Sequence, residues 1–139
     1  IYDELVTIDK PLSLLGPNEN VSAVTGTRAP EARLLQPVNI NSTTTQDVTV
    51  SGFEFFEVDA GGAWTIYIQG DSDNFTFKNN LFKDIARGAI RSGDGSQTGN
   101  LTVEGNNVIG FNPTTIDRGL SFGGLYGTSI ILILYKILI

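Results

Sequence analysis

Three aspartates in two turn-like stretches are the first residues of this sequence that could do chemistry. Asp71 and Asp73 lie in the string DSDN, and Asp94 lies in GDGS. Carboxylates that a loop brings together are ligands that Ca²⁺ takes in proteins, so these aspartates are the candidate metal ligands and Ca²⁺ is the candidate cofactor. The alternative is turn chemistry, because an Asp before Ser or Gly commonly closes a turn by accepting a hydrogen bond from nearby backbone.

A second candidate site combines aromatic and charged side chains. Trp64 and Tyr67 lie in the string WTIYI, and Arg91 and Asp94 follow about one repeat later. Aromatic rings on the outer face of a strand can stack on sugar rings, so these four residues predict a shallow carbohydrate-binding patch with a polysaccharide as partner. The alternative is that Trp64 covers the edge of the core under a loop.

Four asparagines begin N-x-[ST] strings, the acceptor motif for N-linked glycans. They are Asn20, Asn41, Asn74 and Asn100. Threonine is also the residue type expected on the outer face of a strand, so chance matches to the motif are expected as well. Asn74 and Asn100 stand in turns, where a glycan would be accessible in an organism that glycosylates its surface proteins.

The composition argues against several function classes. The 139 residues contain no Cys, no His and no Met, and the formal net charge is −6. The sequence therefore offers no disulfide and no thiolate metal site, and it lacks the commonest general base. It has no basic stripe, so we do not expect nucleic acid as a partner. No complete catalytic set is visible, so we assign no catalytic residue and favour a non-enzymatic role.

These candidate residues lie on an internal repeat. Residues 48–58 read VTVSGFEFFEV, residues 75–85 read FTFKNNLFKDI, and residues 101–111 read LTVEGNNVIGF. Each copy opens apolar-Thr-apolar, continues with a small or polar pair and then has a further apolar residue. The copies start 27 and 26 residues apart, a period typical of proteins that stack one structural unit per repeat.

Each repeat predicts two short strands joined by tight turns. Because alternate residues of a strand point to opposite faces, Thr49, Thr76 and Thr102 should point outward and their apolar neighbours inward. The predicted inward pairs of the first strand are Val38/Ile40, Ile66/Ile68, Ile90/Ser92 and Leu120/Phe122, and those of the second strand are Val48/Val50, Phe75/Phe77, Leu101/Val103 and Ile130/Leu132. The sequence therefore predicts an all-β solenoid of about five coils that share one core.

The whole chain, residues 1–139, reads as a single β-helix domain with one long insertion. The insertion is residues 19–33, between the first and second coils, and we expect it to form a short helix or to cover the open end of the stack. Asn80 and Asn106 recur at one position of the repeat, which predicts a two-rung ladder of side chains that hydrogen-bond along the stack. The opening IYDELVTIDKP reads as the interior of a coil, so we expect a processed form or a fragment.

The repeat is similar to the coils of the pectin-lyase-like superfamily. The opening YDELVTIDKPLSLLGPN and the strings VTVSGFEF, FTFKNNLF and LTVEGNNV carry the resemblance, which covers roughly residues 1–124. The resemblance implies a right-handed parallel β-helix. Because that superfamily includes lyases, esterases, adhesins and surface proteins, the resemblance does not select one activity.

Site residues of the superfamily match this chain poorly. Residues 28–33 read RAPEAR, which resembles the RxPxxR string of pectate lyases, but here the string lies in the insertion and not on a central strand. Its alternative role is a local Arg–Glu pair in a solvated loop, which contributes little. The clustered aspartates, His and Arg-x-Lys of polygalacturonases are missing from the sequence.

Residues 129–139, SIILILYKILI, form an apolar terminal strand. Ile130 and Leu132 fit the inward column, so their neighbours would take outward positions, and a strand that is apolar on both faces is normally buried on both sides. We expect an interface with a neighbouring subunit, a downstream segment or a lipid surface; the alternatives are a cap on the chain's own coil and an altered sequence. As a transmembrane helix the segment is too short. The predicted assembly-interface residues are Ile131, Ile133, Leu134 and Tyr135.

The sequence as a whole favours an extracellular or cell-surface structural β-solenoid. A parallel stack has unpaired backbone at each end, so the expected partner is another copy added head to tail, or the rest of a longer surface protein or filament. The alternative is a carbohydrate-active module, polysaccharide lyase-like or sugar-binding, that acts on cell-wall or extracellular polysaccharide.

Overall fold

A computed structural model describes residues 1–41, 47–58, 61, 63–93, 97–111, 120–121, 124–126 and 130–131. No helix occurs among these residues, and so none is long and apolar enough to cross a membrane. The strands are β1 (Val6–Ile8), β2 (Leu12–Leu15), β3 (Arg33–Leu34), β4 (Val38–Asn41), β5 (Val48–Ser51), β6 (Glu54–Phe56), β7 (Ile66–Gln69), β8 (Ser72–Asp73), β9 (Phe75–Lys78), β10 (Leu81–Ile85), β11 (Ile90–Ser92), β12 (Gln97–Gly99), β13 (Thr102–Glu104), β14 (Asn107–Phe111), β15 (Leu120–Ser121), β16 (Gly124–Tyr126) and β17 (Ile130–Ile131).

The described strands form four parallel sheets, and consecutive strands of the chain enter different sheets. Sheet 1 has the order β1-β4-β7-β11-β15, sheet 2 has β2-β5-β9-β13-β17, sheet 3 has β3-β6-β10-β14, and sheet 4 has β8-β12-β16. Each coil therefore lies directly on the one before it, which confirms the predicted all-β parallel solenoid. The described strands amount to about four coils, with β15 and β17 as fifth strands of sheets 1 and 2.

The core consists of the inward columns that the repeat predicts. In sheet 1, Val38 pairs with Ile66 and Ile66 with Ile90. In sheet 2, Val48 pairs with Phe75. All five side chains have no exposed area, whereas Thr49, Thr76 and Thr102 align on the outer face of sheet 2 and are half-buried. Alternation along each strand thus places the apolar side chains in one continuous core.

Each coil also contains a third strand, so the predicted two-strand unit is wrong. Phe55, Phe82 and Val108 align in sheet 3, and the rings of Phe55 and Phe82 stack with their centroids 5.0 Å apart. A strand as short as β6 has one clear inward residue, so it shows too little alternation to be recognised in the sequence.

The corner between sheets 2 and 3 contains the predicted asparagine ladder. Asn80 Nδ2 donates to Asn106 Oδ1 at 3.1 Å and to the Val50 carbonyl at 2.9 Å. Asn106 Nδ2 in turn donates to the Phe77 carbonyl at 2.8 Å. The Phe53 N–H donates to Asn80 Oδ1 at 3.2 Å. The two side chains therefore satisfy buried backbone groups of successive coils, which is what such groups require.

The insertion runs along the side of the stack and contains no helix, so the predicted helix is wrong. Its Ala23 N–H donates to the Gly105 carbonyl at 2.8 Å. Its Glu19 carbonyl accepts bonds from Ser51 Oγ at 3.1 Å and Asn79 Nδ2 at 2.6 Å. Because these partners belong to three successive coils, the solenoid satisfies part of the insertion's backbone, and isolated turn bonds such as Gly26 N–H to the Ser22 carbonyl at 3.0 Å satisfy another part.

The register of the last described strand corrects one prediction. Ile130 pairs with Thr102 and Ile131 with Val103. The prediction placed Ile131 at an outward position, whereas this register places it at the inward position that Val103 holds one coil earlier. A strand that is apolar on both faces carries no alternation that could specify its register, which explains the one-residue difference. Leu132, Ile133, Leu134 and Tyr135 lie outside the described residues.

Candidate functional site

The first coil leaves one end of the stack unpaired. β1 and β2 are the outermost strands of sheets 1 and 2. In sheet 3, Tyr2 extends the edge by one bridge to Leu34, with its N–H 2.8 Å from the Arg33 carbonyl. No strand among the described residues pairs beyond these three positions, so the edge is open to another strand.

Apolar side chains are exposed at this open end. Leu12 pairs with Val48 in register, yet Leu12 is 37% exposed while Val48 has no exposed area. Leu15 is 52% exposed and Leu5 is 57% exposed. Leu12 is a core-column residue that no described coil covers, so exposed large apolar residues are concentrated at this end of the stack.

A cavity of about 370 Å³ lies at this end of the stack, and Leu15 is one of the residues that line it. Its walls include the ring of Phe53 and the side chains of Val6, Leu14 and Leu34, with Glu4 and Tyr2 also lining it. Val6 and Leu14 pack against the hydrophobic core. The cavity is therefore the end of the solenoid core itself, and it can accept apolar side chains from a partner.

The backbone at the open end presents hydrogen-bonding groups in a parallel-strand pattern. The Val6 N–H donates to the Pro37 carbonyl at 3.3 Å, and the Gly16 N–H donates to the Ser51 carbonyl at 2.7 Å. Because successive peptide groups of a strand point in opposite directions, the intervening N–H groups of Thr7, Ser13 and Leu15 point toward the open edge. We call these three amides the edge amides.

The predicted carbohydrate patch is brought together in part. Arg91 pairs with Tyr67 in sheet 1, and its guanidinium carbon lies 5.6 Å from the centroid of the Trp64 ring. Trp64 is only 5% exposed, and its Nε1 has no hydrogen-bond partner among the described residues. Its burial agrees with the alternative role as a cover for the core edge, so half-buried Tyr67 is the ring available to a sugar. Asp94 lies outside the described residues.

Of the predicted metal ligands, Asp73 shows turn chemistry. Asp73 Oδ1 accepts a bond from the Asn74 N–H at 3.0 Å and one from Asn100 Nδ2 at 2.8 Å. Asp71 is exposed. Within the described part of the chain, no three acidic side chains converge. Calcium binding therefore stays a prediction that depends on Asp94.

The RAPEAR string lies within a hydrogen-bonded network of the insertion. Arg28 Nε is 2.6 Å and Nη2 3.0 Å from the Glu31 carboxylate. Arg28 Nη1 also donates to the carbonyls of Val21 at 2.8 Å and Asn79 at 2.9 Å. Since these bonds occupy most of the five N–H donors, Arg28 joins the insertion to the third coil.

Two groups of predicted residues remain, the glycosylation asparagines and the interface residues near the end of the sequence. The four N-x-[ST] asparagines, Asn20, Asn41, Asn74 and Asn100, are all exposed. Of the predicted interface residues, Ile131 is described only through its backbone pairing, and the other three lie outside the described residues. An assembly role at that end stays a prediction.

The sequence reasoning missed the open-end residues Leu12, Leu15 and Tyr2. A signal was available, because LSLL in β2 has leucines on both faces of the strand, as SIILILY does near the other end. A strand of that kind needs cover on both sides.

No family model, no curated protein and no solved structure matches this chain.

Proposed function

We propose that this chain is a non-enzymatic structural β-solenoid that associates end to end with a second copy of itself, at the cell surface or outside the cell. The observation that carries the proposal is the open first coil, in which Leu12 lies in a core column and is still 37% exposed. A free sheet edge is a template for pairing with another chain, and no described strand pairs with the outer side of β1 or β2.

A second copy fits this surface because the solenoid repeats along its own axis. Among the described strands, β15 and β17 are the last of sheets 1 and 2. A second copy that continued the stack beyond the first coil would extend sheets 1 and 2 past β1 and β2. Its backbone carbonyls would then accept hydrogen bonds from the edge amides. Burying the parts of Leu12 and Leu15 that are still exposed, 37% and 52%, would contribute about 0.5–1.5 kcal/mol each. Repeated head-to-tail addition of this kind gives open filaments.

The experiment compares the full chain with two charge substitutions by sedimentation velocity over a wide concentration range. Leu12→Lys places an ammonium in the apolar end, whereas Thr49→Lys places the same group on the outer face of the neighbouring strand β5. We expect the wild type and Thr49→Lys to associate as concentration rises and Leu12→Lys to remain monomeric. A wild type that stays monomeric throughout, or equal association of all three chains, rules the proposal out.

A carbohydrate-binding or lyase-like function is the second candidate. The observation that favours it is the pairing of Tyr67 and Arg91 on the outer face of sheet 1. A screen of neutral and acidic polysaccharides, with and without Ca²⁺, tests both binding and cleavage. Binding that is lost in Tyr67→Ala and kept in Thr7→Ala, on the same face, supports this candidate. If the protein neither binds nor cleaves any of these polysaccharides, this second candidate is ruled out.

A further inference from the structure

The asparagines that the structure describes fall into two groups by exposure. Asn20, Asn41, Asn74 and Asn100 are exposed, and each begins an N-x-[ST] string. The other six are buried or half-buried, and none begins such a string: Asn18, Asn39, Asn79, Asn80, Asn106 and Asn107. Every exposed asparagine of the described chain is thus a potential acceptor, and every protected one is not.

Three of the four acceptors follow one side of the solenoid. Asn41 is the last residue of β4, Asn74 lies between β8 and β9, and Asn100 lies between β12 and β13. Asn74 and Asn100 each connect a strand of sheet 4 to a strand of sheet 2 in successive coils, and Asn41 ends the sheet 1 strand of the coil before them. Because Thr76 pairs with Thr102, Asn74 and Asn100 are one strand spacing apart, about 4.8 Å. We call Asn41, Asn74 and Asn100 the acceptor edge.

The local geometry allows a sugar at the acceptor edge and not in the buried group. Asn80 has no exposed area, and both N–H groups of its amide are used inside the coil. Asn74 and Asn100 are in left-handed turns with φ of 58° and 44°. Asn100 Nδ2 donates to Asp73, and a glycosylated amide keeps one N–H, so this bond can persist.

We propose that the acceptor edge carries N-linked glycans, with Asn20 as a separate acceptor on the insertion. In the transfer, Nδ2 bonds to C1 of the first sugar of a polyprenyl-diphosphate-linked oligosaccharide. The C1–O bond breaks, the lipid diphosphate leaves, and the amide proton passes to a base of the transferase. Glycans are bulky and solubilising, so those on this edge oppose side-by-side contact between solenoids and leave both ends of the stack uncovered.

The test is secretion of the full chain from eukaryotic cells, followed by whole-protein mass measurement before and after amidase treatment in ¹⁸O water. We expect a mass loss on treatment and ¹⁸O-labelled Asp at Asn20, Asn41, Asn74 and Asn100. The glycosylated and deglycosylated proteins should have the same β-type circular dichroism and the same Tm within a few degrees, because the modified side chains are exposed.

Two matched variants separate acceptor function from fold. Thr76→Ser keeps the acceptor string of Asn74, and Thr76→Val destroys it with a side chain of equal strand preference. We expect label at Asn74 in the first and none in the second, with the other sites unchanged. Absence of glycan from the acceptor edge in both secreted and cell-retained protein overturns the proposal, because strand alternation alone would then explain the pattern. Confinement of glycosylated chains to a misfolded retained fraction also overturns it. Neither result depends on end-to-end association.

Discussion

Gly52 and Asn80 lie at the same corner of successive coils, and each is required there for a different physical reason. Gly52 has φ of +80°, and a Cβ added to it would lie 2.2 Å from the Glu19 nitrogen of the insertion. Asn80 is fully buried and connects its own coil to the coils on both sides. Gly52 leaves room for the backbone of the insertion, and Asn80 supplies hydrogen bonds to the buried backbone at this corner.

Gly52→Ala should destabilise the protein by more than about 2 kcal/mol, since strain at positive φ and the clash with the insertion add together. Gly61→Ala is the matched control, because Gly61 has φ of +64° and no atom within 4 Å of the added Cβ. We expect about 1 kcal/mol there. Urea unfolding measures both free energies. Equal losses would mean that the insertion does not pack against Gly52.

Asn80→Ala should lower the free energy of unfolding by about 2–4 kcal/mol, because the Phe53 N–H, the Val50 carbonyl and Asn106 lose a buried partner. Asn20→Ala, at an exposed position, should change it by less than about 0.5 kcal/mol. Thermal unfolding followed by circular dichroism compares the two variants. A loss at Asn80 no larger than that at Asn20 would show that the ladder is not structural.

The ladder was predictable from the sequence and the contact at Gly52 was not. Asn80 and Asn106 recur at one position of the repeat, so their stacking follows from the period. The close approach at Gly52 involves Glu19, which belongs to a non-repeating segment whose path no periodicity specifies. The burial of Trp64 was one of two alternatives at the sequence level, and a single aromatic outside the repeat has no column that would choose between them.

At the scale of the element, the insertion is a strap along the corner between sheets 2 and 3. Arg28 pairs with Glu31 within the strap and joins the strap to the Asn79 carbonyl of the third coil. Side-chain exposures of 11% and 18% show that the Arg28–Glu31 pair is largely shielded from water. Lys78 and Glu104 form a contrasting pair on the outer face of sheet 2, 3.6 Å apart and 41% and 44% exposed. The shielded pair should matter more for stability.

Arg28→Ala should destabilise the protein by about 2–3 kcal/mol, because it leaves the Glu31 carboxylate and two carbonyls without their donor. Lys78→Ala should cost at most about 0.5 kcal/mol. Limited proteolysis gives a second readout: cleavage within residues 19–33 should accelerate in Arg28→Ala and not in Lys78→Ala. If cleavage within residues 19–33 is not faster in Arg28→Ala, Arg28 is not the residue that holds the strap to the solenoid.

Strands were predictable where two inward residues recur and unpredictable where fewer do. Sheets 1 and 2 have paired columns such as Val48/Val50, and the period identified them. The strands of sheet 3 went unrecognised because the repeat marks them with a single recurring apolar position, Phe55, Phe82 and Val108, and not with a pair. The register of Ile131 was wrong by one residue because its strand is apolar on both faces.

At the scale of the whole molecule, the open first coil is the feature on which the proposed end-to-end association rests. The stacked fold followed from the period of the sequence, because each coil needs neighbours to bury its apolar side. The location of the open end did not follow from it. Leu12 has the same residue type and alternation as a core residue, and only its position in the stack leaves it exposed.

Hydrogen exchange of the edge amides at low and high protein concentration tests end-to-end association most directly. The N–H groups of Thr7, Ser13 and Leu15 should exchange quickly in dilute solution and slow by at least about tenfold when a second copy supplies acceptors, which corresponds to about 1.4 kcal/mol of protection. The amides of β9, in the middle of sheet 2, should be protected equally at both concentrations. Edge amides that exchange at the same rate at both concentrations would contradict the account.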